Sequence, residues 1–172
     1  MNLVLIGYRG TGKSSVGHLL AQRLGWNLIS TDDEIVKRAG LSIPEIVKES
    51  GWDHFRDLET EVCRDVAARD RSIIDTGGGI ILRQQNVDRL KANGVLFWLT
   101  AEVPTIARRI GEDTQRPSLT GAKSFTDEIA EVLHVRLPKY QAAADHVIAT
   151  DRLAQGQVAD AILAHVRTGS NC

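Results

Sequence analysis

Cysteine is scarce: Cys63 and Cys172 are the only two among 172 residues, and one of them is the last residue. Their separation fits neither a disulfide framework nor a zinc site, so both are expected as plain thiols. The five histidines are scattered, with no H-x-x-x-H pair to hold a metal on a helix. Aromatic residues make up 5% of the chain, and Trp26, Trp52 and Trp98 are expected to be packing residues. No apolar run approaches the ~18 residues that a membrane-spanning helix needs. Only Leu3 to Ile6 precede Gly7 at the N-terminus, too short a run for a signal peptide. A soluble cytoplasmic protein with no membrane partner is therefore expected. Excess charge is lacking too: 21 Lys and Arg stand against 22 Asp and Glu, for a net charge of −1. That balance argues against bulk binding to nucleic acid, while leaving room for a local basic pocket.

What is present is an ordinary globular mixture, 42% hydrophobic and 25% charged, which argues against disorder. The length suits one domain over 1–172. The apolar period switches repeatedly along it. Asn2 to Ile6 is a continuous apolar run and reads as a buried strand. Val16, Leu19, Leu20 and Leu24 recur at helical spacing over Lys13 to Leu24, with Gly25 as the stop. Asn27 to Ser30 reads as a second strand, and Asp32 to Ala39 as a helix ending at Gly40. Ser42, Pro44 and Glu45 form a capping box for a further helix. Gly51 interrupts it, and another helix follows from Trp52 to about Arg69. Ser72 to Asp75, Val95 to Leu99 and His146 to Ala149 complete the expected strands. Helices are expected over Arg83–Ala92, Val103–Ile110, Thr126 toward Ala144 with a disturbance at Pro138, and Gln155–Arg167. Gly111 to Ser124 lacks apolar periodicity and reads as a mobile loop. Strands alternating with helices predict an α/β fold, a parallel sheet covered on both faces.

Gly7-Tyr8-Arg9-Gly10-Thr11-Gly12-Lys13-Ser14 fits G-x-x-x-x-G-K-[ST] in full, directly after a buried strand and opening a helix. Glycines let backbone N–H groups wrap a phosphate, and the helix N-terminus adds positive potential. Lys13 can reach the β- and γ-phosphates, and the Ser14 hydroxyl can bind Mg²⁺. Nucleotide binding is the firmest inference from the residues. A GTPase would want an N-K-x-D motif, which is absent, although Asp75-Thr76-Gly77-Gly78 fits D-x-x-G.

Three further features stand out, the first two of them at the strand ends where open α/β sheets bind ligands. Asp32 and Asp33 follow the second strand, either as helix caps or as an orienter of a hydroxyl nucleophile. Gly77-Gly78-Gly79 follows the third, as a tight turn or as a place of close backbone approach. Arg56 and Arg136 are surface residues or, together, a grip on a carboxylate or phosphate.

The whole set resembles the shikimate kinases from Leu3 to about Arg167. The resemblance rests on the phosphate loop, Thr31-Asp32, Ser42 to Ile46, Phe55 to Glu59, Thr76 to Gly79, Arg116-Pro117 and Arg136 to Tyr140, in matching order and spacing. It implies a P-loop kinase fold: a five-stranded parallel sheet of order 2-3-1-4-5, flanked by helices, with a mobile lid over about 111–124. It implies an ATP-dependent phosphotransferase that passes the γ-phosphate to the 3-hydroxyl of shikimate, with Mg²⁺, on the route to aromatic amino acids. Residues 32–60 would be the shikimate-binding segment. Lys13, Asp32 and Arg116 would be catalytic. Gly10, Thr11, Gly12, Lys13, Ser14, Ser15, Arg109 and Arg116 would bind ATP, with Arg109 along the adenine. Asp32, Arg56, Gly78, Gly79 and Arg136 would bind shikimate. A monomer is expected. A gluconate-type kinase and a catalytically impaired nucleotide-binding module are the alternatives.

The sequence departs from that family in one chemical respect. The family usually carries Asp-x-Asp after the second strand, where this chain has Ser30-Thr31-Asp32. Asp75 closes the third strand, where P-loop enzymes carry an acid toward the metal. Asp75 is therefore expected either to replace the missing acid at the Mg²⁺ site beside Ser14 or merely to cap the loop. The segment Thr150 to Gln155 matches poorly, so Arg152 and Gln155 are secondary adenine-side candidates.

Overall fold

In a computed structural model of the chain, the described residues are 1–111 and 125–169. The expected lid, apart from Gly111, and Arg116 within it lie outside them, as does Cys172. Five strands alternate with helices: β1 (Asn2–Ile6), α1 (Lys13–Leu24), β2 (Asn27–Ser30), α2 (Thr31–Ala39), α3 (Ile43–Ala67), β3 (Ser72–Asp75), α4 (Gln84–Ala92), β4 (Gly94–Thr100), α5 (Val103–Ile110), α6 (Phe125–Ala143), β5 (His146–Ala149) and α7 (Gln155–Gly169). A short 3-10 turn, Ile80–Leu82, follows the glycine run and was not legible from periodicity. The sheet is parallel, in the order β2-β3-β1-β4-β5 expected from the resemblance.

The apolar run of β1 is explained by burial on both faces. Leu3 and Leu5 point to one side, where Val16 and Leu20 of α1 and Val158 and Ile162 of α7 cover them. Val4 and Ile6 point to the other, toward Phe55, Val62 and Val66 of α3 and Leu90 of α4. Each of these fully buried aliphatic side chains contributes about 2 kcal/mol of transfer free energy. Cys63 lies in the second of these layers at 0% exposure. Burial pushes its thiol up to about 12, which makes it inert as a nucleophile.

Local signals set the helix ends. Ser42 and Glu45 form the reciprocal box: the Ser42 amide donates to Glu45 Oε2 at 2.8 Å, and the Glu45 amide donates to Ser42 Oγ at 3.4 Å. Gly51 breaks α3 with φ 81° and ψ 172°, a conformation that an L side chain resists. Pro138 does not end α6, which continues to Ala143. It is exposed, as is His134 one turn earlier, so the carbonyl that Pro138 cannot serve lies on the solvent side.

The chain runs from β1 out to β2 and β3, then crosses to β4 and β5. The order reverses beside the carboxyl end of β1. That is the place where a doubly wound sheet opens a crevice, and the phosphate loop occupies it.

Candidate active site

The loop between β1 and α1 is shaped by close backbone approach. A Cβ on Gly7 would sit 2.5 Å from the Leu99 carbonyl oxygen, and the residue has φ +144°. The Lys13 ammonium folds across the loop and donates to the Gly7 carbonyl at 2.9 Å and the Tyr8 carbonyl at 3.1 Å. The Thr11 hydroxyl donates to the Tyr8 carbonyl at 2.8 Å. Lys13 is held in a buried position at the start of α1, where helix N–H groups face the cleft. Gly10, Gly12, Lys13, Ser14 and Ser15 line that cleft together with Asp32, Asp75 and Arg109.

Arg109, near the end of α5, ties the loop to the segment after β5. Its guanidinium donates to the Gly10 carbonyl at 3.3 Å, to Thr150 Oγ1 at 2.9 Å and to the Thr150 carbonyl at 3.0 Å. A smaller cavity beside it is walled by Thr11, Ser15, Thr150, Leu153 and Gln155. Of the two secondary adenine-side candidates, Gln155 is in that wall and Arg152 is not.

A second cavity, about 500 Å³ including its open mouth, lies next to the phosphate cleft. It brings together Asp32, Arg56, Gly78, Gly79 and Arg136, five residues that are up to 104 positions apart in sequence. The glycines leave room for charged side chains. A Cβ at Gly77 would lie 2.7 Å from Asp32 Oδ1, and one at Gly79 would lie 2.2 Å from Arg56 Nη1. The triple glycine is thus a site of close approach as well as a turn. The cap question at α2 is settled by Ser30, whose hydroxyl accepts from the Asp33 amide at 3.1 Å. Asp32 is not the cap, and it lines both the cavity and the cleft.

Several lining residues carry no motif of their own. Glu59 is 1% exposed, and its Oε2 accepts from Arg56 Nη1 at 2.8 Å. Its Oε1 has no hydrogen-bond partner among the described residues. Burial raises the Glu59 carboxyl above the usual range; the Arg56 charge and hydrogen bond oppose this, while Asp32 adds to it. The i,i+3 spacing from Arg56 is the signal that could have found it. Trp52 lies one turn before Arg56, with the guanidinium 5.5 Å from its ring centroid. Trp52, directly after the kink at Gly51, is therefore a cavity wall as well as a packing residue. Trp98 is packing in the plain sense, stacked on Tyr140 at 5.5 Å. The Tyr140 hydroxyl donates to the Gly78 carbonyl at 2.5 Å, and burial pushes its phenol up to about 12.

Among the charged lining residues are three arginines, Arg9, Arg56 and Arg136, and two carboxylates, Asp32 and Glu59. Guanidinium forks suit a carboxylate, and an unpartnered buried carboxylate oxygen suits a hydroxyl donor. The arrangement fits a small polyhydroxy acid beside a nucleotide phosphate.

At the carboxyl end of β3, the Ser14 hydroxyl donates to Asp75 Oδ2 at 2.5 Å. Asp75 is 8% exposed. A hydroxyl oxygen and a carboxylate oxygen are the hard donors that Mg²⁺ takes, usually with only one or two protein carboxylates. The residues present fit that ion.

Comparison with known proteins agrees with the geometry. The family model described as shikimate kinase matches residues 9–167. A shikimate kinase from Nitratidesulfovibrio vulgaris is 47% identical over 150 residues, covering 86% of this chain and 85% of the relative. One from Thermodesulfovibrio yellowstonii is 40% identical over 170 residues, covering 99% and 97%. The solved structure of shikimate kinase from Acinetobacter baumannii, in complex with shikimate, superposes with a TM-score of 0.94 at 31% identity, covering 99% of this chain and 95% of that one. With its phosphate loop, sheet order and matched length, this chain belongs to the shikimate kinase family.

Proposed function

We infer that this chain transfers the γ-phosphate of ATP to the 3-hydroxyl of shikimate, giving shikimate 3-phosphate and ADP. The observation that carries this reading is the cavity of Asp32, Arg56 and Arg136 opening beside the phosphate loop, with Asp32 in both walls. Arg56 and Arg136 hold the ring carboxylate. Gly78 and Gly79 let the ring approach the backbone. Asp32 orients the attacking hydroxyl and accepts its proton. Lys13 and the loop amides hold the β- and γ-phosphates, and Arg109 lies along the adenine. Catalysis rests on positioning and on charge neutralisation, because phosphoryl transfer asks little covalent chemistry of the protein.

Ser14 and Asp75 would hold Mg²⁺, which when bound neutralises charge on the phosphate oxygens. The reading needs no second copy of the chain, and the enzyme is proposed to act as a monomer. No described helix is long and apolar enough to cross a membrane. The gluconate-type alternative is disfavoured by the family match.

The test is a coupled assay of ADP release over a panel of cyclic and linear polyhydroxy acids. ADP is expected with shikimate. Release only with gluconate, or with no acid in the panel, would overturn the reading.

A further inference from the structure

Two charged side chains, Arg9 and Asp32, line both the phosphate cleft and the substrate cavity among the described residues. Asp32 already has a role on the reading above; Arg9 has none. It is the third residue of the phosphate loop, so its backbone is fixed by the same turn that positions Lys13. Its guanidinium stands 5.9 Å from the ring centroid of Tyr8, a residue 1% exposed that forms part of the cavity wall. Its Nη2 lies 4.0 Å from Glu128 Oε1 on α6, and Glu128 is itself 4% exposed. That distance is an electrostatic contact, longer than the ~2.8 Å of a charge-assisted hydrogen bond. The guanidinium is thus steadied by an aromatic face below and a buried carboxylate beside it, at the boundary between the two sites.

We propose that Arg9 is a further catalytic residue, contacting the phosphoryl group as it passes between the two cavities, with Glu128 as its positioning residue. The proposal rests on the ATP-to-shikimate reading above. In that step the bond from the ring hydroxyl oxygen to the γ-phosphorus forms while the bond from that phosphorus to the β–γ bridging oxygen breaks. The hydroxyl proton passes to the Asp32 carboxylate, and ADP leaves with the electron pair. Charge is spread over the three equatorial oxygens in the transition state. A planar guanidinium can meet two of those oxygens with parallel, coplanar N–H groups, a fork that an ammonium lacks. Because that contact is strongest at the transition state, it acts on kcat rather than on KM.

The experiment compares Arg9→Met, Arg9→Lys and Glu128→Gln with the intact enzyme. Steady-state kinetics are combined with ADP affinity and with binding of ADP plus aluminium fluoride in the presence of shikimate. Arg9→Met is expected to lower kcat about 100-fold, with KM for ATP and shikimate and the affinity for ADP alone nearly unchanged. Affinity for the ADP–fluoroaluminate complex should fall by a comparable factor. Arg9→Lys should recover only part of kcat. Glu128→Gln should lower kcat by a smaller factor, again without moving either KM. If Arg9→Met does not fold, Arg9→Lys with the same kcat-against-KM split decides the matter. An unchanged kcat, or a loss confined to KM for shikimate, would overturn the proposal. A wild-type enzyme that releases no ADP with shikimate defeats the functional reading instead, and is seen before any variant is made.

Discussion

Ser30 and Asp75 are partners in register across the parallel strands β2 and β3. The acid usually found at the end of the second strand in this family is absent from position 30, and a carboxylate stands on the neighbouring strand instead. Adjacent strands are only about 4.8 Å apart, so a carboxylate on either can serve the same space. Here Asp75 accepts the Ser14 hydroxyl hydrogen bond at 2.5 Å, while Ser30 caps α2.

Asp75→Asn should therefore raise the Mg²⁺ concentration for half-maximal velocity by about tenfold, the usual cost of a lost metal-supporting carboxylate. The exchange Ser30→Asp with Asp75→Ser should recover most of that loss. A Mg²⁺ titration of ADP release, paired with Mn²⁺ binding to the ADP complex, measures both. Unchanged metal dependence in Asp75→Asn counts against the assignment.

Gly79→Ala tests the close approach to Arg56. The added methyl would meet Arg56 Nη1 at 2.2 Å, and the guanidinium, being the far end of a flexible side chain, should swing away. The expected result is a rise of about tenfold or more in KM for shikimate, for a displaced charge-assisted contact, with little change in KM for ATP. Equal effects on both substrates would point to a disturbed phosphate loop instead.

Glu59 should leave a pH signature on stability. Its folded carboxyl is raised by burial above the ordinary value of ~4.3. Between those two values the folded state binds more protons than the unfolded chain, so stability falls as pH rises. The contribution is complete below the unfolded value and is lost as pH climbs through the raised one. Glu59→Gln resembles the protonated form and lacks this slope. Its melting temperature relative to wild type should thus climb as pH is raised from about 4. A difference that stays flat with pH would mean that folding leaves the carboxyl's affinity for its proton unshifted.

Tyr140→Phe removes the hydrogen bond to the Gly78 carbonyl while keeping the ring stacked on Trp98. The buried carbonyl then loses its donor, at a cost of about 1–3 kcal/mol. Urea denaturation should show this as a lower midpoint with an unchanged slope. KM for shikimate should rise a few-fold, because Gly78 lines the cavity. A midpoint equal to wild type would show that another donor reaches that oxygen.

The parts legible in advance are those whose cause lies within a few consecutive residues. The phosphate loop is one run from Gly7 to Ser14, the capping box is Ser42 to Glu45, and β1 is a run that only burial on both faces explains. Position after β2 singles out Asp32 but leaves its role open; that role, and the pairing of Arg56 with Arg136, rests on the order and spacing of motifs. Glu59 was missed although Arg56 lies three residues earlier, because an exposed helix pair and a buried one look the same in sequence. Nothing local to Trp52 says that it lines the cavity as well as packing.

The amino-acid order by itself determined that a phosphate-loop motif follows β1 and that alternating strands and helices form a parallel sheet. Hydrogen-bonding turns, caps and apolar runs act over short stretches and need no partner. Only the folded chain decided that Asp75 faces Ser30 and reaches Ser14, that Glu59 is buried against Arg56, and that Arg9 and Asp32 stand between two cavities. Those relations exist because the order β2-β3-β1 sets the carboxyl ends of three strands side by side, and α3 and α6 then close over them.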